Sequence, residues 1–329
     1  LRSEDNMWGY NRTVDQKVNI GSAFLQNEWK NDHWGFLIGG RLDKHNLIDH
    51  VIFSPRANLR YNPTENINLR FSYSSGFRAP QAFDEDLHVE NVGGNVAMVE
   101  LADNLKEERS QSLSASADIY HRFGAFQVNF LVEGFYTKLS DVFALTDGEV
   151  VDGILTRTRY NAPGARVMGL TLEGKMAYLT KFQVQAGVTL QQSHYSEPHV
   201  WNKEAPAVKK MMRTPNTYGY FTATYTPIKP LSIALSGTYT GSMLVPHEPV
   251  PGFLEKPITV NTKDFFDIGL KAAYDFKLYK SMNLQVNAGV QNIFNAYQND
   301  FDKGADRDSG YIYGPSLPRS FFAGVKISY

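Results

Sequence analysis

The chain has 329 residues, no cysteine, and 33 Lys+Arg against 34 Asp+Glu, which leaves a net charge of −1. That balance argues against a nucleic-acid partner drawn in by long-range field, and the missing thiols exclude disulfides and cysteine chemistry. Aromatics make up 13%, yet no apolar run approaches the roughly 18 residues of a membrane helix, and the opening "LRSEDNMWGYNRTVDQK" lacks the apolar core of a signal peptide.

In chain order the sequence alternates polar and apolar residues, the period of a strand whose side chains flip face at every step. The segments are Lys17 to Lys30, His33 to Lys44, Val51 to Tyr61, Ile67 to Phe77, Ser110 to Phe123, Phe126 to Leu139, Val167 to Tyr178, Phe182 to His194, Asn216 to Thr226, Leu231 to Gly241, Phe265 to Phe276, Leu284 to Phe294 and the closing Arg319 to Tyr329. That predicts about thirteen strands, most of some ten residues, whereas ordinary strands run to about five or six. Ten is the length a tilted strand needs to cross a bilayer.

Connections of two kinds alternate. Short ones follow Lys30, Tyr61, Arg122, Tyr178, Tyr225 and Phe276, and long ones span about residues 78–109, 146–156, 195–214, 242–263 and 295–310. Short turns on one rim and long loops on the other mark an antiparallel up-and-down barrel in an outer membrane, the long loops extracellular. The faces agree: Ser112, Ser114, Ser116 and Asp118 alternate with Leu113, Ala115, Ala117 and Ile119. The reading is all-β, a transmembrane barrel with lipid on the apolar face and a wet or plugged lumen on the other. Tyr61, Tyr136, Tyr178, Tyr225, Tyr239 and Tyr274 sit near strand ends, where interfacial girdles form. The final strand ends on an aromatic residue, as expected of a strand that must zip against a neighbour to remove the sheet edge.

Four stretches resemble the boxes of TonB-dependent outer-membrane receptors, and in that family's order. They are "SYSSGFRAP" (Ser72 to Pro80), "DNLKEERSQS" (Asp103 to Ser112), "YNAPGARVMGLTLEGKM" (Tyr160 to Met176, with Gly169 and Glu173) and the ending "YIYGPSLPRSFFAGVKISY" after "NAGVQNIFNAYQ". The second box departs from the family's Asn-Pro-x-Leu pattern. The resemblance implies a barrel of about 22 strands, of which this chain carries the C-terminal 13 or so, as a single region over 1–329. The plug domain and the segment that engages TonB are absent from the chain, and residues 1 to about 16 fall in an extracellular loop. It also implies that the closing strand, with Phe321, Val325, Ile327 and Tyr329 on one face, is read by the barrel-assembly machinery, and that the lipid bilayer and lipopolysaccharide surround the wall.

No G-x-S-x-G, H-E-x-x-H or phosphate loop is present, so capture rather than catalysis is expected, with no resident cofactor. "DFDKGADRD" (Asp300 to Asp308) lacks the spaced acceptors and closing Glu of a calcium loop and reads as a solvated segment. Candidate ligand contacts sit on the long loops. His88 lies between the first two boxes, and resemblance to haem receptors of the family implies an axial iron ligand there. His194, Tyr195, His199 and Trp201 supply imidazole and rings in one segment, with Lys209, Lys210 and Arg213 as attractors of an anionic siderophore or lipopolysaccharide. His247 is expected exposed on a Pro-rich loop. Arg78 and Arg319, beside prolines, read as structural. The expected function is energised uptake of iron as haem or a ferric siderophore, with cobalamin or an oligosaccharide as alternative cargo. A passive porin or a barrel enzyme is the rival class, and a soluble adhesin-like β-protein the third.

Overall fold

The computed structural model describes every residue except 1, 6–11, 84–89, 93–94, 147, 152–153, 280, 305–306, 309 and 316, and the described residues contain strands and no helix. A hairpin, β1 (Arg2–Asp5) and β2 (Arg12–Asp15), comes first. Then follow β3 (Ile20–Lys30), β4 (Trp34–His45), β5 (Val51–Thr64), β6 (Ile67–Arg78), β7 (Glu90–Val92), β8 (Asn95–Leu101), β9 (Glu108–Phe123), β10 (Phe126–Leu145) and β11 (Glu149–Val151). The remainder are β12 (Ile154–Tyr178), β13 (Phe182–His199), β14 (Val208–Lys210), β15 (Thr217–Ile228), β16 (Leu231–Thr240), β17 (Leu244–His247), β18 (Ile258–Asn261), β19 (Phe265–Lys277), β20 (Asn283–Gln291) and β21 (Ser320–Ser328).

Thirteen of these, β3–β6, β9, β10, β12, β13, β15, β16 and β19–β21, form the wall, each antiparallel to the next. They stand at the thirteen predicted positions. The strands are arranged in barrel order, which brings β21 beside β3. Every other neighbouring pair shares a register of paired residues, whereas none joins β3 to β21. After thirteen alternating strands the last runs in the direction of the first, so closure between β21 and β3 is not antiparallel. Phe24 and Leu25, on opposite faces of β3, are 81% and 82% exposed, and Phe321 on β21 is 80% exposed.

Bilayer physics fixes the wall's dimensions. A row of rings crosses five strands near the short-turn rim: Phe123 opposite Phe126, Phe126 opposite Tyr178, Tyr178 opposite Phe182, and Phe182 opposite Tyr225. Trp34 stacks on Tyr61 at 4.2 Å on the same rim. Toward the long loops Tyr73, Leu113, Tyr136 and Met168 lie in one row. Phe126 and Tyr136 are ten residues apart on β10. At about 3.3 Å per residue and a tilt of about 40°, that is a height of about 25 Å, which is the apolar band of an outer-membrane barrel.

The other face is polar and paired. Tyr220 donates to Glu173 (2.8 Å), and Gln185 donates to both Glu173 (3.2 Å) and Tyr220 (2.6 Å). Asn58 donates to Ser72 at 2.7 Å, and Thr171 meets Thr189 at 3.0 Å. Such cross-strand pairs hold register where no dry core exists. Gly169, in the third box, allows a close approach: a Cβ there would lie 2.5 Å from the Leu190 carbonyl and 2.6 Å from the Phe135 ring. Gly169→Val therefore drives β12 from β13 and lowers barrel stability by about 2 kcal/mol, measured as a lower temperature for loss of heat-resistant gel mobility.

Three wall strands overrun the bilayer, which corrects the predicted loop bounds. β10, β12 and β13 reach 20, 25 and 18 residues. The loop expected at 146–156 is mostly the β11–β12 hairpin. Within the 78–109 segment, β8 pairs with β12 in parallel, the one parallel ladder among the described residues.

Candidate ligand-binding rim

Above the membrane band the long-loop rim is a built surface. The β17–β18 hairpin packs Met243 and Val245 against Tyr311, with Val260 and Tyr313 alongside. His247, at the hairpin's end, is 5% exposed. Its ring lies flat on Tyr311 (3.8 Å, 6°), and its Nε2 meets the Asp302 carboxylate at 2.9 Å. The Asp308 amide donates to that same carboxylate (3.2 Å), while the Asp308 carboxylate accepts from the Glu248 amide (2.9 Å). Buried Gln298 donates to the Tyr311 carbonyl and accepts from the Tyr313 amide, and Tyr313 donates to Asp300. Burial pushes the Glu248 carboxyl up, opposed by Arg157 at 3.2 Å and the Asn202 amide at 3.0 Å. Arg213 donates to the carbonyls of Ile312 (2.9 Å) and Gly310 (2.5 Å). The hairpin, the last long loop and the loop after β13 are thereby one packed lid.

The expected His194–Arg213 loop begins as strand. β13 carries Tyr195 and His199, whose rings stand 4.8 Å apart. Burial lowers the affinity of the His199 imidazole for a proton and raises that of the Tyr195 phenol. Trp201 follows, its indole N–H buried without a partner. A neutral imidazole, a phenol and an indole donor are groups that hold a bulky aromatic or chelate ligand by stacking and hydrogen bonding. Among the described residues, no group of three or more His, Asp or Glu is arranged to hold a metal ion.

The family model for the β-barrel of TonB-dependent receptors matches residues 3–293. The chain belongs to this family. No curated protein matches it in sequence. Solved structures share the receptor fold at low identity. A variant of the ferric enterobactin receptor PfeA of Pseudomonas aeruginosa superposes with a TM-score of 0.67 at 18% identity, over 96% of this chain and 46% of that one. The siderophore receptor PirA of Acinetobacter baumannii gives 0.64 at 17%, over 94% and 45%, and the FrpB iron transporter of Neisseria meningitidis 0.62 at 18%, over 96% and 45%. The receptor barrel here thus spans just under half the length of these relatives.

The family boxes are seams of the rim. Asn161 of the third box accepts from the Lys106 amide (2.7 Å) and donates to the Lys106 carbonyl (3.0 Å), so it ties the second box to the wall. Arg78 of the first lies 3.7 Å over the Phe83 ring. Glu107 of the second binds Arg109 (2.7 Å) and His50 (3.0 Å), latching the β4–β5 turn. The bond to Asp49, with Glu107 adding, raises the His50 affinity for a proton; burial opposes a shift in Glu107, but Arg109 prevails and lowers it. Stability from His50 is full below its ordinary 6.5 and lost as pH rises through its raised value; that from Glu107 is full above its ordinary 4.5 and lost as pH falls. The amide protection factor at residues 46–50, the exchange rate corrected for its intrinsic pH dependence, is therefore greatest between those two values and falls on both sides. A flat profile across that range would mean the latch carries no pH-dependent stability.

The predicted ligand contacts fare unequally. His88 lies outside the described residues. His194, Tyr195 and His199 lie on β13, and Trp201 in the bend that follows it. His247 is buried, against the expected exposure, because Asp302 and Tyr311 enclose it. Most described residues of "DFDKGADRD" are exposed, as expected of a solvated segment, but Asp302 and Asp308 turn inward to His247 and Glu248. Arg213 is a lid fastener. Sequence reasoning missed Gln298 and Asn161, whose partners lie at distances no local pattern reveals. Phe321, Val325, Ile327 and Tyr329 lie on the outward apolar side of β21, 80%, 67%, 59% and 99% exposed.

Proposed function

We propose that this chain is part of the barrel of an outer-membrane receptor that imports iron as a ferric siderophore. The observation that carries the reading is the packed lid above a wall with an apolar band about 25 Å tall, in a family whose similar structures include receptors for ferric enterobactin and other siderophores. The wall is scaffold and the rim captures. Tyr195, His199 and Trp201 provide rings and one free donor, and residues elsewhere in the complete receptor supply the plug and the link to TonB. The receptor sits in the outer membrane of a Gram-negative cell, and the apolar face of β21 is what the assembly machinery grips. It carries out no bond-making chemistry of its own. The test is uptake of radiolabelled iron by cells expressing the complete receptor, supplied as a ferric catecholate, a ferric hydroxamate or haem, before and after collapse of the proton gradient. Gradient-dependent accumulation from a siderophore supports the reading. Accumulation from haem alone would replace the cargo, and gradient-independent entry would make the barrel a porin.

A further inference from the structure

We infer that a row of cations on the lumen wall, near the short-turn rim, holds a carboxylate carried by the segment of the complete receptor that fills the barrel. The inference rests on the proposal above that the complete receptor supplies a plug, and it concerns the end of the lumen away from the capture rim. In the ladder registers Lys30 lies opposite Gly35, Gly35 opposite Arg60, and Arg60 opposite Arg70. Residues paired in this way share a face of the sheet. This face is that of Asn58 and Ser72, two residues along from Arg60 and Arg70, whose side chains bond to each other on the polar side of the wall. β5 runs from Val51 to Thr64, so Arg60 stands close to its short-turn end. At about 3.3 Å per residue and a tilt of about 40°, the row lies about 20 Å below the long-loop rim.

Gly35 makes the row possible. A Cβ there would lie 3.2 Å from the Arg60 Nε, so the guanidinium lies across the backbone of β4. That position shuts the Arg60 Nε from water, and it has no hydrogen-bond partner. Arg70 spends its Nε on Asn68 at 2.7 Å and keeps its terminal nitrogens toward the lumen side of an exposed position. Among the described residues none of Lys30, Arg60 and Arg70 has an ion pair. The wall's own acids do not neutralise them. Asp118 accepts from Tyr120 and Asn129, and Glu28 and Glu133, each separated from the arginines by one strand, form no ion pair. Like charges directly opposite one another destabilise a sheet, and a buried donor without an acceptor adds to the cost. Both costs act at every moment, so the anion that offsets them is resident. Cargo in transit would offset them only during its passage. Two planar guanidinium forks side by side match the two oxygens of a carboxylate, which is the anionic group a polypeptide segment supplies.

The test is hydrogen exchange of the complete receptor in detergent without cargo, read by mass spectrometry. The variants are Arg60→Gln with Arg70→Gln, and Arg60→Lys with Arg70→Lys. The expected result for the Gln pair is about tenfold faster exchange in one segment outside this chain that contains an Asp or Glu, with β5 and β6 unchanged. The Lys pair keeps the charge, loses the fork and recovers part of the protection. A water-soluble carbodiimide, which joins an amine to a carboxylate in contact with it, links the amine introduced by Arg60→Lys to that same segment. Both variants keep heat-modifiable gel mobility, which reports an intact barrel. Unchanged exchange outside this chain, acceleration confined to β5 and β6, or carbodiimide links to Glu28 or Glu133 alone would overturn the inference. So would weaker ferric-siderophore binding in the Gln pair with exchange unchanged, which would assign the row to cargo. Faster exchange and the cross-link in a receptor that imports no iron would fault the transport reading and leave this one standing.

Discussion

His247→Ala frees the β17–β18 hairpin from the last long loop. The substitution removes a ring stacked at 3.8 Å on Tyr311 and leaves the Asp302 carboxylate, 5% exposed, without its 2.9 Å partner. Removing one member of a buried pair costs about 3 kcal/mol, because the remaining charge stays desolvated. Expressed as local opening, that is about a hundredfold faster amide exchange over residues 244–261. Exchange in β9, β10 and β12 stays unchanged, since the wall is held by separate ladders. His247→Gln keeps a donor within reach of Asp302 and recovers part of the protection, which separates the hydrogen bond from the stacked ring. Hydrogen exchange of the complete receptor, read by mass spectrometry, checks both variants. Unchanged exchange in His247→Ala would mean that Met243, Val245 and Tyr311 hold the lid unaided.

The wall was legible in the sequence because lipid imposes one rule on every spanning strand. Apolar residues must recur at every second position for about ten residues, and nothing else in the chain does this. The rim obeys no such rule. Residues 140–145 of β10 and 154–165 of β12 do not alternate, and they extend as strand because each completes the other's ladder: Leu145 opposite Arg159, Val142 opposite Ala162. His247 sits in "VPHEPVPG", which reads locally as an exposed turn, and its burial is supplied by residues some sixty positions on. The family boxes were recognisable as text, but their physical content, Asn161 gripping both backbone groups of Lys106, is a contact between two boxes and not a property of either.

On the siderophore reading proposed above, combined Tyr195→Ala, His199→Ala and Trp201→Ala substitution weakens binding of a ferric siderophore to the complete receptor about a hundredfold. Two rings 4.8 Å apart and a buried indole donor lacking a partner are the described groups best suited to a planar chelate. Removing each aromatic ring from the face of the cargo costs about 1 kcal/mol, and an indole N–H that gains an acceptor on binding adds about the same. Together they make about 3 kcal/mol, or two decades in Kd. None of the three side chains fastens the lid, which is held through His247, Glu248, Asn202 and Arg213, so hydrogen exchange over residues 244–261 stays as in the parent. Quenching of tryptophan fluorescence on titration with the ferric siderophore gives Kd for Tyr195→Ala with His199→Ala. Isothermal calorimetry gives it for the triple variant, which lacks the reporter, and for Trp201→Phe, which keeps a ring and removes only the donor. A tenfold loss in Trp201→Phe makes the indole N–H a hydrogen-bond donor to the cargo. An unchanged Kd in the triple variant moves capture off β13, to the loop that contains His88 or to the receptor's plug.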